Sequence, residues 1–159
     1  MSEIVRVKIA DLAVLKSDGL LITVGLGSCV GIAIYDPTAR VAGLAHILLA
    51  DSTNFKNRDN PAKFADTAIP VLTGEMTRLG ARSGRLLARI AGGSQLFSFE
   101  NSMISVGEKN IQMVRQTLSR LKIPLLGEDV GGSSGRTMKV YANDGRVTVT
   151  VAGGEEREI

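Results

Sequence analysis

The chain contains one cysteine, Cys29, and one histidine, His46. A thiol beside an imidazole is what nucleophilic acyl chemistry needs: the thiolate attacks, and the imidazole takes its proton and lowers the thiol pKa. Thr23 precedes Cys29 by six residues and could orient the imidazole through an oxygen, the third role in a triad. Gly25-Leu26-Gly27-Ser28 leads directly into Cys29. Glycines there would let backbone N–H groups near Gly27 and Ser28 approach a substrate carbonyl, as an oxyanion hole requires.

Each of these residues also has a plainer reading. A lone cysteine in an apolar strand serves as a small core residue. His46 within Val41–Ala50 could be a satisfied core histidine, and Thr23 a good strand former. The run Gly25–Gly31 comes near a dinucleotide-binding loop, but its third glycine is one place late and a strand-like segment follows where a helix should. Asp129–Arg136, rich in Gly and Ser, could cradle an anion or simply turn; it lacks the ending of a phosphate-binding Walker loop.

The elements that must position these groups are readable from pattern. Strands are expected at Ile4–Ile9, Leu20–Val24, Cys29–Tyr35, Val41–Leu49, Arg85–Ala91, Leu125–Val130, Met138–Ala142 and Val147–Val151. Asp51–Asn60 is polar and reads as an exposed loop. Asn60-Pro61 marks a helix start, and Phe64, Ala68, Leu72, Met76 and Leu79 form a helical apolar stripe that Gly80 ends. Pro70 inside that stripe predicts a kink or break. Ile111, Val114, Leu118 and Leu121 define a second helix ending near Lys122-Ile123. Asn143-Asp144-Gly145-Arg146 is a hairpin turn, and Gly153–Ile159 reads as a loose tail. The expectation is one domain over residues 1–159 of the α/β (α+β) class. It would be a layered sandwich with a largely antiparallel mixed sheet and helices packed on it.

Register tests the pair. If residues 37–40 form a four-residue loop, Asp36 pairs with Val41, Gly31 faces His46, and Cys29 and His46 share a face as diagonal neighbours. Such neighbours lie roughly 7–8 Å apart at Cα and closer at their tips. A five-residue loop would put them on opposite faces.

Composition excludes several classes. The formal net charge is +3, but there is no basic stripe with stacking aromatics, so nucleic-acid binding is not expected. The start of the chain is too polar for a signal peptide, and no apolar run approaches membrane-spanning length. A single cysteine excludes an internal disulfide and a four-cysteine zinc site. A reducing cytoplasm is the expected location.

Beyond single motifs, the whole chain resembles the CheD family of chemoreceptor glutamine deamidases. The likeness lies in residues 23–30 (TVGLGSCV), the Tyr-Asp-Pro turn at 35–37, Gly-Leu-Ala-His at 43–46 and Asp-Thr-Ala-Ile-Pro at 66–70. It continues through Gly92-Gly93, Val-Gly-Glu-Lys-Asn at 106–110 and the Asp-Val-Gly-Gly run at 129–136. Ala50 stands where the family commonly has proline. The resemblance implies a Cys29–His46–Thr23 triad that converts glutamine to glutamate on methyl-accepting chemotaxis receptors through a glutamyl thioester. It also implies that no metal or cofactor is needed, binding to a CheC-type chemotaxis phosphatase, and a layered α/β fold. Two other readings stay open: a non-catalytic regulator of that phosphatase, and a related cysteine hydrolase acting on another amide or on receptor methyl esters.

Overall fold

A computed structural model of the chain describes residues 2–95 and 105–159. Its strands are β1 (Ile4–Arg6), β2 (Asp11–Lys16), β3 (Leu20–Leu26), β4 (Val30–Asp36), β5 (Val41–Ile47), β6 (Leu87–Gly92), β7 (Leu125–Val130), β8 (Arg136–Tyr141), β9 (Val147–Val151) and β10 (Glu156–Glu158). Two α-helices join them, α1 (Ala65–Arg78) and α2 (Val106–Arg120). The strands form two five-stranded sheets, ordered β1-β3-β8-β9-β10 and β2-β5-β4-β6-β7. Within each sheet one pair is parallel, β1 with β3 and β6 with β7, and the rest are antiparallel. The expected sandwich is present, with two sheets where one was expected.

The middle layer explains the sequence pattern. Every residue of β4 and β5 is buried. Val30, Ile32, Ile34, Val41, Ala45 and Ile47 face α1 and α2, meeting Ile69, Leu72, Met76, Val114 and Leu118. Ala33, Tyr35, Ala42 and Leu44 face the other sheet, meeting Leu21, Met138, Val140 and Val149. A strand covered on both faces reads as a near-continuous apolar run, as VGIAIYD and VAGLAHI do. His46 is thus a polar interruption of a fully buried strand.

The β4–β5 register is the one that a four-residue loop predicts. Asp36 pairs with Val41 and Gly31 with His46. Asp36 secures the turn by accepting from the Thr38 and Ala39 N–H groups, and it pairs with Arg85 at 2.9 Å. Arg85 is held there in a short 3-10 turn, so β6 starts at Leu87 rather than at 85.

Other expectations need correction. Residues 11–16 form β2, a strand the sequence did not reveal, which pairs antiparallel with β5. Asn60 caps a short 3-10 turn, Pro61–Lys63, and α1 begins only at Ala65. Phe64 stays extended between them and buries its ring at the core, which delays the helix. Pro70 does not break α1, which runs through it to Arg78. Its exposed position leaves room for the ring, so one backbone hydrogen bond is lost without interrupting the helix. α2 starts at Val106, with Ser105 accepting from Glu108 N–H at 3.2 Å. The tail expected to be loose instead forms β10 against β9, and Arg157 pairs with Asp129 at 2.9 Å.

Candidate active site

Thr23 lies on the inner face of β3, and β5 presents His46 across the gap between the sheets. The Thr23 Oγ1 to His46 Nδ1 distance is 2.7 Å, and Thr23 Oγ1 lies 2.6 Å from the Val7 carbonyl oxygen. A hydroxyl has one proton and a carbonyl can only accept, so Thr23 donates to Val7. It must then accept from His46 Nδ1–H. That fixes the tautomer: Nδ1 carries the proton, and the neutral ring keeps a lone pair on Nε2. Nε2 is buried and has no hydrogen-bond partner among the described residues. An unpartnered acceptor buried at His46, itself 2% exposed, is what a general base awaiting a proton looks like.

Cys29 immediately precedes β4. A Cβ built on Gly31 would strike Met138 and Leu26, so Gly31 faces the second sheet. Strand alternation gives His46, opposite Gly31, the same face, and extends it to Cys29 two residues earlier. Cys29 belongs to the inter-sheet apolar cluster with Leu26, Ala91 and Met138 and is 5% exposed.

The loop before the nucleophile is held from behind. Ser94 N–H donates to Gly27 O at 2.8 Å, and Gly93 N–H to Cys29 O at 2.8 Å. Between them, Asn110 Nδ2 donates to Ser28 O at 2.9 Å and also to Leu48 O at 3.1 Å. In a trans peptide the N–H points away from the carbonyl of the same unit. Anchoring the Gly27 and Ser28 carbonyls on one side therefore turns the Ser28 and Cys29 N–H groups to the other. Neither has an acceptor in another residue among those described. Gly27 differs: its N–H donates to Gly25 O at 3.0 Å, so it has no donor to offer an oxyanion. Gly25, with φ +72°, lies in the irregularity of β3 that returns Leu26 to the core after Thr23.

Burial pushes the Cys29 thiol above its ordinary range, and only its own backbone N–H opposes this. Burial also holds the His46 imidazole down, at about 4. Proximity of an imidazole led us to expect a lowered thiol pKa. The structure reverses it, because an uncharged ring at neutral pH offers no positive charge to a sulfur in an apolar cluster. The resting pair is neutral thiol and neutral imidazole.

The shift of His46 carries a stability cost in acid. Its ordinary value is 6.5 and its folded value about 4, so below 6.5 the unfolded chain binds the proton more readily. Stability is full above 6.5 and is lost as pH falls toward 4. Urea unfolding is expected to give a native state about 2–3 kcal/mol less stable at pH 4.5 than at pH 7.5. Asp36 titrates lower: burial raises it, but Arg85 and the Ala39, Arg82 and Thr38 N–H groups hold it at about 2. A His46→Gln variant should lose most of the dependence above pH 4.5; if it keeps all of it, another group is responsible.

Two further residues, Arg136 and Asn110, complete the surroundings and had no role assigned from sequence. Arg136, 7% exposed, donates to Ser94 Oγ at 2.8 Å and to Gly131 O at 2.8 Å, and pairs with Asp129 at 3.2 Å. The glycine-rich run at 129–136 is therefore folded onto its own arginine, and that ties it to Ser94 behind the Cys29 loop. Asn110 is fully buried. Its signal was present: it lies on the core stripe of α2 with Gly107, Ile111, Val114 and Leu118, where an apolar residue would be expected.

Residues 48–151 match the family model described as CheD chemotactic sensory transduction. A protein of Clostridium botulinum (strain Alaska E43) named probable chemoreceptor glutamine deamidase CheD is 51% identical, over 94% of this chain and 93% of its own length. Proteins of the same name from Moorella thermoacetica and Caldanaerobacter subterraneus are 51% and 47% identical, over 94% and 96% of this chain and 91% and 95% of their own. Alignments of that extent take in the Thr23–His46 segment as well as the matched region. Among the described residues no helix is long and apolar enough to cross a membrane. On the family match and on identity across nearly its full length, the chain belongs to the CheD family.

Proposed function

We propose that this protein is a protein-glutamine glutaminase that hydrolyses glutamine side chains of methyl-accepting chemoreceptors to glutamate. The observation that carries the chemistry is the Thr23–His46 contact. It leaves a buried, unpartnered Nε2 lone pair on the face that Cys29 shares. The substrate class rests on the names of the relatives.

The reaction follows from the neutral resting pair. Cys29 Sγ attacks the amide carbon as His46 Nε2 takes the thiol proton. The Ser28 and Cys29 N–H groups stabilise the oxyanion. Thr23 accepts from Nδ1–H and stabilises the imidazolium as it forms, holding the ring in orientation. The imidazolium gives its proton to the departing nitrogen, which leaves as ammonia, and a glutamyl thioester remains. Water then attacks the thioester, His46 takes the water proton and returns it to sulfur, and a glutamic acid side chain is released. One amide and one water are consumed, and no cofactor enters the scheme. On the receptor, a neutral side chain becomes an anion, which alters repulsion along its helices. Binding of a CheC-type phosphatase belongs to the same proposal and rests on family resemblance alone.

The test is the intact mass of a chemoreceptor cytoplasmic fragment after incubation with the protein. A gain of about one mass unit per site is expected, lost when the protein is first alkylated at its one thiol. No gain with fragments of several receptors would overturn the assignment.

A further inference from the structure

Asn110 sits one turn into α2, fully buried, and spends both side-chain N–H groups on carbonyls of the site. Two carbonyl acceptors fix its amide orientation, since a flipped amide would set oxygen against oxygen. Its Oδ1 is consequently buried without a partner among the described residues. An apolar side chain of the same branching, such as leucine, is bulkier but would carry no such orphan. A buried amide that accepts that cost is doing something other than filling space.

The two carbonyls it holds indicate what. Ser28 O belongs to the peptide unit whose N–H is that of Cys29. Leu48 O lies two residues beyond His46, just past the end of β5. One side chain thus spans the segment that carries the nucleophile and the segment that carries the base. It cannot drift, because the first turn of α2 is locked: a Cβ on Gly107 would lie 2.5 Å from Gly93 O and 2.6 Å from Ser94 O. Donation to a peptide oxygen also polarises that unit and strengthens its N–H as a donor.

We propose that Asn110 is a positioning residue: through the Ser28 and Leu48 carbonyls it aims the Cys29 N–H at the reacting centre and sets the nucleophile loop against the His46 strand. This rests on the deamidase reading for its consequence in catalysis, but not for its effect on the thiol.

The single cysteine makes the test direct. Protein labelled with 13Cβ-cysteine gives one side-chain signal, that of Cys29, and its shift across pH 7–11 follows the thiol. An Asn110→Leu variant removes the buried Oδ1 orphan but leaves the Ser28 and Leu48 carbonyls without this donor, so it is expected to fold and to melt somewhat below the parent. Its Cys29 signal should move, and its thiol should titrate about one unit higher, tenfold less thiolate at a given pH. Receptor deamidation should show a kcat about tenfold lower at unchanged KM. A folded variant whose Cys29 titration matches the parent overturns the proposal. This readout needs no receptor, so it stands whether or not the protein proves to be a deamidase. If Asn110→Leu fails to fold, the parent decides: a through-hydrogen-bond coupling between Asn110 15Nδ2 and Ser28 13C′ supports the assignment, and its absence overturns it.

Discussion

Cys29→Ala is expected to abolish receptor deamidation, and His46→Ala to reduce it by at least about 10⁴-fold. The two groups act as one unit, so the double variant should be no slower than the worse single one. Fold should survive both changes. Cys29 contributes one sulfur to the inter-sheet cluster, and its removal should cost about 1 kcal/mol. Loss of His46 also frees Thr23 Oγ1 of its ring partner, while its bond to Val7 O remains. The check is the rate of mass gain on a receptor fragment beside a thermal melt of each variant. Measurable turnover by a folded Cys29→Ala protein would remove the thiol from the mechanism. A protein that only regulates the phosphatase would be indifferent to both changes, which separates that reading from the enzymatic one.

Gly92→Ala is expected to lower the melting temperature by about 10 °C or more and to abolish activity in whatever remains folded. Gly92 has φ +109°, a conformation that an L side chain rarely adopts, and a Cβ there would collide with the Cys29 carbonyl oxygen. The obstacle is backbone on both sides, so no rotamer change relieves it. Relief would require Cys29 to move off the end of β4, and its carbonyl would release Gly93 N–H. The combined strain should reach about 3–5 kcal/mol. Calorimetry of the purified variant tests this. A shift of less than about 2 °C with full activity would mean that the loop is softer than its hydrogen bonds imply.

What could be read beforehand follows the physics of each segment. The β4–β5 hairpin was legible because loop length and parity settle which side chains share a face, and because a doubly covered strand leaves an unbroken apolar run. The β8–β9 hairpin was legible from local turn chemistry. What pairing alone creates was not. β10, all charged, has no composition to mark it and becomes a strand by lying along β9, while the four apolar residues of β2 are too few to tell a strand from a helical turn until they pair with β5. Parity likewise told which way His46 points but not that a second sheet would lie there with Thr23 in reach. Asn110 shows the same limit at the site. Its polarity on an apolar stripe was visible, but the two carbonyls that account for it come from segments about 60 and 80 residues away. Gly27 was over-read, since its own turn consumes the N–H that the motif seemed to offer.

The last strand matters beyond its few hydrogen bonds. β9 is the uncharged pentamer Val-Thr-Val-Thr-Val, a segment of high β-propensity with no proline or glycine. Left as a sheet margin it would be a template on which other chains could add, copy upon copy. β10 occupies that margin with Glu156-Arg157-Glu158, all exposed, and Arg157 is pinned by Asp129. The outermost row that a neighbouring molecule meets is therefore charged and only three residues long. Three charged residues thus cover the edge that the valine–threonine strand would otherwise present, which is how natural sheets blunt edge-to-edge addition.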